Sequence, residues 1–166
     1  IPSIVNNAAK LRALSLNNCS LVGPIPAAIA THPSLTKLDI VNNKIEGTLP
    51  NFAYSNIEVL RFENAQLEGS IPLMPDNVIQ QLILRDNNLS GGLGRVATLT
   101  QLMVLDLANN NFRGDLELST EAMGTLTRLD ISNNLISAVP ATLSNIDTHL
   151  TCNISFNNIP CPIDQW

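Results

Sequence analysis

Histidine, cysteine and aromatic side chains are all scarce in this chain: among 166 residues there are two His, three Cys, four Phe, one Tyr and one Trp. No apolar run approaches the ~18–20 residues that a membrane-spanning helix needs, so no transmembrane segment is expected. Basic residues are few as well. Nine Lys and Arg against fourteen Asp and Glu leave a net charge of −5, the wrong sign for a nucleic-acid binder. Only 14% of residues are charged while 45% are hydrophobic, the opposite of a disordered composition. Three cysteines are too few for a disulfide-built miniprotein and the wrong number to pair completely. The length suits one domain with a sizeable core. The chain opens Ile1-Pro2 rather than with Met or a signal peptide, so a processed product or a piece of something longer is expected.

What the chain does have is a repeat. Leu11, Leu35, Ile57, Ile79, Leu102, Leu126 and His149 stand 22 to 24 residues apart. Three positions later come Leu14, Leu38, Leu60, Leu82, Leu105, Leu129 and Cys152; two further on, Leu16, Ile40, Phe62, Leu84, Leu107, Ile131 and Ile154. The ninth column holds Cys19, Asn43, Ala65, Asn87, Asn110, Asn134 and Asn157, and the eleventh Leu21, Ile45, Leu67, Leu89, Phe112, Ile136 and Ile159. The x-L-x-L-x part alternates with period two, as in a strand with its leucines on one face. The ninth-column amide both donates and accepts, so it can satisfy backbone groups where the chain leaves the strand. One coil cannot bury its own apolar face, so the coils must stack and their strands form one parallel sheet.

Leu21-Val22-Gly23-Pro24-Ile25-Pro26, Ile45-Glu46-Gly47-Thr48-Leu49-Pro50 and Leu67-Glu68-Gly69-Ser70-Ile71-Pro72 share a second signature, L-x-G-x-I/L-P. Gly permits a turn at positive φ and Pro cannot extend a hydrogen-bonded ladder. With L-x-x-L-x-L-x-x-N-x-L ahead of it, this resembles the plant-type extracellular leucine-rich repeats of receptor-kinase ectodomains and polygalacturonase-inhibiting proteins; protist surface proteins carry similar repeats. The resemblance covers nearly the whole chain. It implies an α/β repeat solenoid, a right-handed superhelix with a parallel β-sheet on the concave face and short extended or 3₁₀ segments on the convex face. The expected organisation is a single domain, 1–166: a partial repeat over 1–10, seven repeats starting at 11, 35, 57, 79, 102, 126 and 149, and a C-terminal flank from about 157.

Later repeats depart from the signature. Gly91-Gly92-Leu93-Gly94 and Gly114-Asp115-Leu116-Glu117 lose the Pro, and Ile136-Ser137-Ala138-Val139-Pro140 loses the Gly. That argues against a regular convex sheet after about residue 90. Ile1-Pro2 precedes Leu11 by ten residues, as Ile25-Pro26 precedes Leu35, so further repeats or a cap are expected before residue 1. Cys19, at an Asn position where such repeats commonly carry Cys, is expected as a buried structural thiol. Cys152 and Cys161 are expected to form a disulfide stapling the last coil; the alternative pairs Cys161 with a cysteine beyond Trp166. Either implies an oxidising compartment. Asn18, Asn88 and Asn153 head N-x-S sequons, although this composition yields about three by chance. All three fall at outward positions.

Catalytic chemistry finds little footing. His32 and His149 belong to coils expected to lie roughly 25 Å apart, too far for one triad. No His, Cys and Asp cluster has metal-ligand spacing, and Gly91-Gly92-Leu93-Gly94 lacks the Lys-Ser/Thr of a phosphate loop. No enzyme activity, metal or cofactor is expected. The outward strand positions remain. Asp39, Asp106 and Asp130 recur where such repeats usually carry Asp. Val41, Val59, Arg61, Glu63, Ile83 and Arg85 leave that habit and mix β-branched residues with arginines, a composition favoured at interfaces. Arg61 should lie beside Asp39 and Arg85 beside Glu63, either as mutually satisfied surface ion pairs or as a docking patch. The expected function is recognition of a protein, peptide or glycan on the concave face, outside the cell or at its surface. The alternative is a structural spacer whose concave face stays empty. An ice-binding face would need a regular Thr, Ser or Asn array, and these columns are too mixed.

Overall fold

The computed structural model describes residues 8–75, 78–145 and 149–160. Seven short strands, Ala13–Ser15, Lys37–Val41, Val59–Glu63, Gln81–Ile83, Val104–Asp106, Arg128–Asp130 and Thr151–Asn153, form one parallel sheet in chain order. Each belongs to one coil, numbered one to seven here. Leu14, Leu38, Leu60, Leu82, Leu105, Leu129 and Cys152 are register partners across the whole sheet. The five leucines from Leu38 to Leu129 are fully buried, and so are Ile40, Phe62, Leu84, Leu107 and Ile131 two positions on. One continuous apolar interior therefore runs the length of the stack, at ~1.5–3 kcal/mol of transfer free energy for each such side chain.

The asparagine column makes the expected ladder. Asn87 Oδ1 accepts the N–H groups of Ala65 and Leu67 on the preceding coil, while its Nδ2 donates to the carbonyls of Phe62, Leu84 and Arg85. Asn43, Asn110, Asn134 and Asn157 repeat this reach of 21 to 27 residues back along the chain. Backbone groups that the turn would leave unpaired inside the stack are thus satisfied. The residue before each rung, from Asn18 to Phe156, takes φ between 49° and 57°. Asn and Asp fill six of those seven positions, and they tolerate that conformation best after Gly.

The convex side consists of brief elements: helices Ala27–Ala30 and Thr120–Thr125, 3₁₀ turns at Val96–Thr98 and Ala141–Asn145, and a second set of parallel strands. That second set corrects one expectation. The four-stranded convex sheet, Glu68–Gly69, Asn88–Gly91, Asn111–Asp115 and Leu135–Ala138, is longest where the L-x-G-x-I/L-P signature fades. Gly91 and Gly114 keep φ of +90° and +82° without the Pro, so the turn survives. Coil six lacks that Gly and pairs through a register shift after Gly114, so that Asp115 meets Ala138; Ser137 is the extra residue, and it donates to Asp115 Oδ1 at 2.8 Å.

Cys19 differs from expectation, and the two histidines take separate environments. Cys19 is exposed rather than buried; its N–H donates to Asn43 Oδ1 of coil two and its thiol to the Asn17 carbonyl of its own coil. His32 is buried in its convex turn. Its Nδ1 accepts the Ser34 N–H, so Nε2 carries the hydrogen and donates to the Ala8 carbonyl one coil back. His149 occupies a core register yet is exposed, and Leu150 packs against the interior instead.

Candidate functional site

Because strand residues alternate between faces, each strand presents its third, fifth and seventh repeat positions on the concave side. Arg61 and Glu63 of coil three, Ile83 and Arg85 of coil four, Val104 and Asp106 of coil five and Arg128 of coil six line a concavity of about 180 Å³ there. Four of the six residues singled out in the sequence, Arg61, Glu63, Ile83 and Arg85, meet in it. Val41 does not; it is buried, with its N–H bonded to Asn17 Oδ1 at 2.8 Å. Val59 is half-buried beside the concavity, in register with Gln81.

The charged groups form a chain across four coils. Arg61 Nη2 lies 2.7 Å from Glu63 Oε2 within one strand. Arg85 Nε lies 3.8 Å from Glu63 Oε1 and 3.0 Å from Asp86 Oδ2, and its Nη1 lies 3.9 Å from Asp106 Oδ2. Arg128 Nη2 closes the chain at 2.9 Å from the same Asp106 oxygen. The expected neighbour of Arg61 was Asp39, and the two are register partners. The guanidinium nevertheless turns to Glu63, donating from both Nε and Nη2.

Exposure is unequal along this chain. The Asp106 side chain retains 4% of its surface and Glu63 23%, while Arg61, Arg85 and Arg128 keep 39%, 34% and 48%. Glu63 and Asp106 therefore lie beneath the guanidiniums, while Asp86, at 35%, is as exposed as the Arg85 it pairs. Burial pushes the Asp106 carboxyl above its ordinary range, with the Asp130 charge adding to it; the Ala108 N–H and the two arginines act the other way. The Arg85 guanidinium is held more firmly protonated by its hydrogen bond to Asp86, against a desolvation penalty, with Asp106 and Glu63 assisting.

A repeat of about 23 residues, a strand in every coil, an asparagine rung after it and one shared interior are now all in place. The family described as Leucine Rich Repeat matches residues 10–31, 34–54 and 125–146. The chain is a leucine-rich repeat protein. Over 142 aligned residues it is 28% identical to Receptor-like protein 54 of Arabidopsis thaliana, covering 82% of this chain and 18% of that protein. It is 33% identical over 156 residues to Receptor-like protein 6 of the same plant, covering 76% and 16%. The crystal structure of the Arabidopsis receptor kinase HAESA in complex with the peptide hormone IDA and the co-receptor SERK1 matches with a TM-score of 0.77 at 26% identity, covering 95% of this chain and 27% of that one. This leucine-rich repeat chain thus spans less than a fifth of either curated relative.

Val104, Asp106 and Arg128 escaped the reading of the sequence. A carboxylate at the fifth repeat position looked like family habit, and columns alone do not reveal that Arg128 reaches diagonally onto coil five. Among the described residues no group of three or more His, Cys, Asp or Glu is placed to hold a metal ion. None of the described helices is long and apolar enough to cross a membrane. The sequon residues Asn18, Asn88 and Asn153 are all exposed. Cys152 ends the central leucine column in an exposed position, whereas Cys161 lies outside the described residues, and with it the expected disulfide.

Proposed function

We propose that this leucine-rich repeat protein is a ligand-binding module of the cell surface or extracellular space, capturing a peptide or protein through acidic groups seated on coils three to six. The binding residues are Arg61, Glu63, Ile83 and Arg85, with Val104, Asp106 and Arg128 completing the surface and Val59 at its margin. The observation that carries this reading is the layering of the charges: three half-exposed guanidiniums stand over two more deeply placed carboxylates. The buried layer fixes the arginines, so little side-chain entropy remains to be lost on docking. A planar guanidinium suits bidentate contact with a carboxylate, and Ile83 and Val104 offer apolar area between the charges. The complex of the similar HAESA ectodomain with a peptide hormone supports a peptide as the ligand class, and the receptor-like relatives support the location. Asn18, Asn88 and Asn153 are proposed as glycan carriers in that compartment, and Cys152 with Cys161 as its disulfide.

The test is a pair of charge reversals, Arg61→Glu with Arg85→Glu. Acidic and basic peptide pools are immobilised, and retention of wild-type and variant chains is compared at low and moderate salt. Wild type is expected on the acidic pool, weakening as salt rises, with the double variant lost from it while it still unfolds in one cooperative transition, at a melting temperature lowered by the new carboxylates beside Glu63, Asp86 and Asp106. Equal retention of the two proteins would move binding off this face and favour the structural-spacer reading.

A further inference from the structure

Among the described residues, Asp39 is the one with a buried side-chain polar atom that lacks a hydrogen-bond partner. It is 8% exposed, and its Oδ1 is buried without a hydrogen-bond partner. Its Oδ2 receives only a long contact, 3.5 Å from Ser15 Oγ. Among the described residues no Lys, Arg or His nitrogen comes within 4 Å of it. A buried carboxylate oxygen without a counter-charge or hydrogen bond is costly, and each such group calls for an explanation.

The other coils show what is missing. Asp106 Oδ1 accepts the N–H of Ala108, two residues on. Asp130 Oδ1 accepts the N–H and hydroxyl of Ser132, and Asn153 does the same with Ser155. In coil two the equivalent donor is the Val41 N–H, and Asn17 of coil one has taken it. Asn17 is itself held by donating from Nδ2 to Ser15 Oγ. Arg61, the register partner on the other side, gives its guanidinium to Glu63. Both neighbours that could complete Asp39 are therefore engaged elsewhere.

We propose that Asp39 is an anchoring site for a cationic group of the ligand, a primary ammonium or a guanidinium, on coil two. It extends the reading of the concave face as the binding face: a bound chain meets an unpaired carboxylate at coil two and exposed guanidiniums at coils three to six, so the site selects for a ligand carrying both signs of charge. The carboxylate charge is shared by both oxygens, so a cationic donor that reaches Oδ2 from the concave side, in place of the long Ser15 contact, compensates it.

The probes are N-acetyl-arginine methylamide and n-butylammonium, with N-acetyl-glutamine methylamide as the neutral control. Amide shifts of Ser15, Asp39 and Val41 are followed by ¹H–¹⁵N NMR. Saturable shifts at these amides are expected with both cations and not with the control, weakened at least tenfold in Asp39→Asn. That variant should melt above wild type, because it removes an uncompensated buried charge. Asn17→Ala releases the Val41 N–H to Asp39 and is expected to weaken the cation without changing any charge. No saturable shift, equal shifts in Asp39→Asn, or a response in which Arg61 moves onto Asp39 in place of the probe would each overturn the proposal. None of these results involves the acidic-peptide test, so the two readings fail separately.

Discussion

Arg128 of coil six reaches across the sheet to lie 2.9 Å from Asp106 of coil five, a half-exposed guanidinium resting on a nearly buried carboxylate. The same oxygen faces Arg85 of coil four at 3.9 Å, and the other accepts the Ala108 N–H. Asp106 is thus the hub that ties three coils on the concave face.

Asp106→Ala is expected to cost about 1–3 kcal/mol, since it strips the Ala108 N–H of its acceptor and frees both arginines. Asp106→Asn retains that acceptor and should cost less. Melting temperatures of the two variants against wild type check the order.

The raised carboxyl of Asp106 sets a pH dependence of definite sign. The folded chain holds this proton more tightly than the unfolded chain, whose carboxyl titrates in the ordinary range. Its contribution to stability is therefore fully present below the ordinary carboxylate value and is lost as pH rises through the folded value. The wild-type melting temperature minus that of Asp106→Asn should fall across the mildly acidic range and then level off. A difference that rises with pH there would contradict the burial-dominated shift.

Asn110 holds four backbone groups from inside the stack: the Leu89 N–H and the carbonyls of Leu84, Leu107 and Ala108. Asn110→Ala leaves them without partners and should destabilise by about 2–4 kcal/mol in urea unfolding. Asn42, whose amide links only the exposed side chains of Asn18 and Asn64, should lose about 1 kcal/mol on the same change, chiefly because Ala adopts its φ of +54° less readily.

Gly69 turns at φ +81°, and a Cβ built there meets Thr48 Cγ2 at 2.8 Å. Gly69→Ala should destabilise by more than about 1 kcal/mol through backbone strain and the clash together. Adding Thr48→Ala relieves only the clash, so the double variant should recover part of the loss.

Alkylation of the unreduced protein separates the cysteines. Exposed Cys19 should be modified, while Cys152 and Cys161 stay protected until a reductant is added. In the reduced protein Cys152 should react more slowly at neutral pH, because partial desolvation against the last coil, despite its overall exposure, and the nearby Asp130 charge raise its thiol.

The stack was legible because two unrelated periods agree: the leucine alternation of each strand, and the asparagine that closes the turn after it. Leu38, Leu60, Leu82 and Leu105 stand side by side as the columns require. The convex side was harder to read. Its strands depend on positive φ at Gly91 and Gly114, which survives the loss of Pro, and on a bulge that lets coil six pair without Gly. Within the site, columns reveal neighbours of equal register, such as Asp39 and Arg61. They do not reveal which way a long side chain turns, so the Arg61–Glu63 pair and the Arg128–Asp106 diagonal became visible only in three dimensions. The burial of Val41, whose N–H is held by Asn17 24 residues away, was likewise not readable from its column.

Hydroxyl-radical footprinting of the chain with a captured acidic peptide tests the binding face most directly, because it reads side-chain exposure residue by residue. Ile83 and Val104 should be protected on capture while Tyr54 and Leu135, exposed outside the sheet's concave face, keep their reactivity. Protection of Tyr54 or Leu135 with Ile83 and Val104 unchanged would contradict the account.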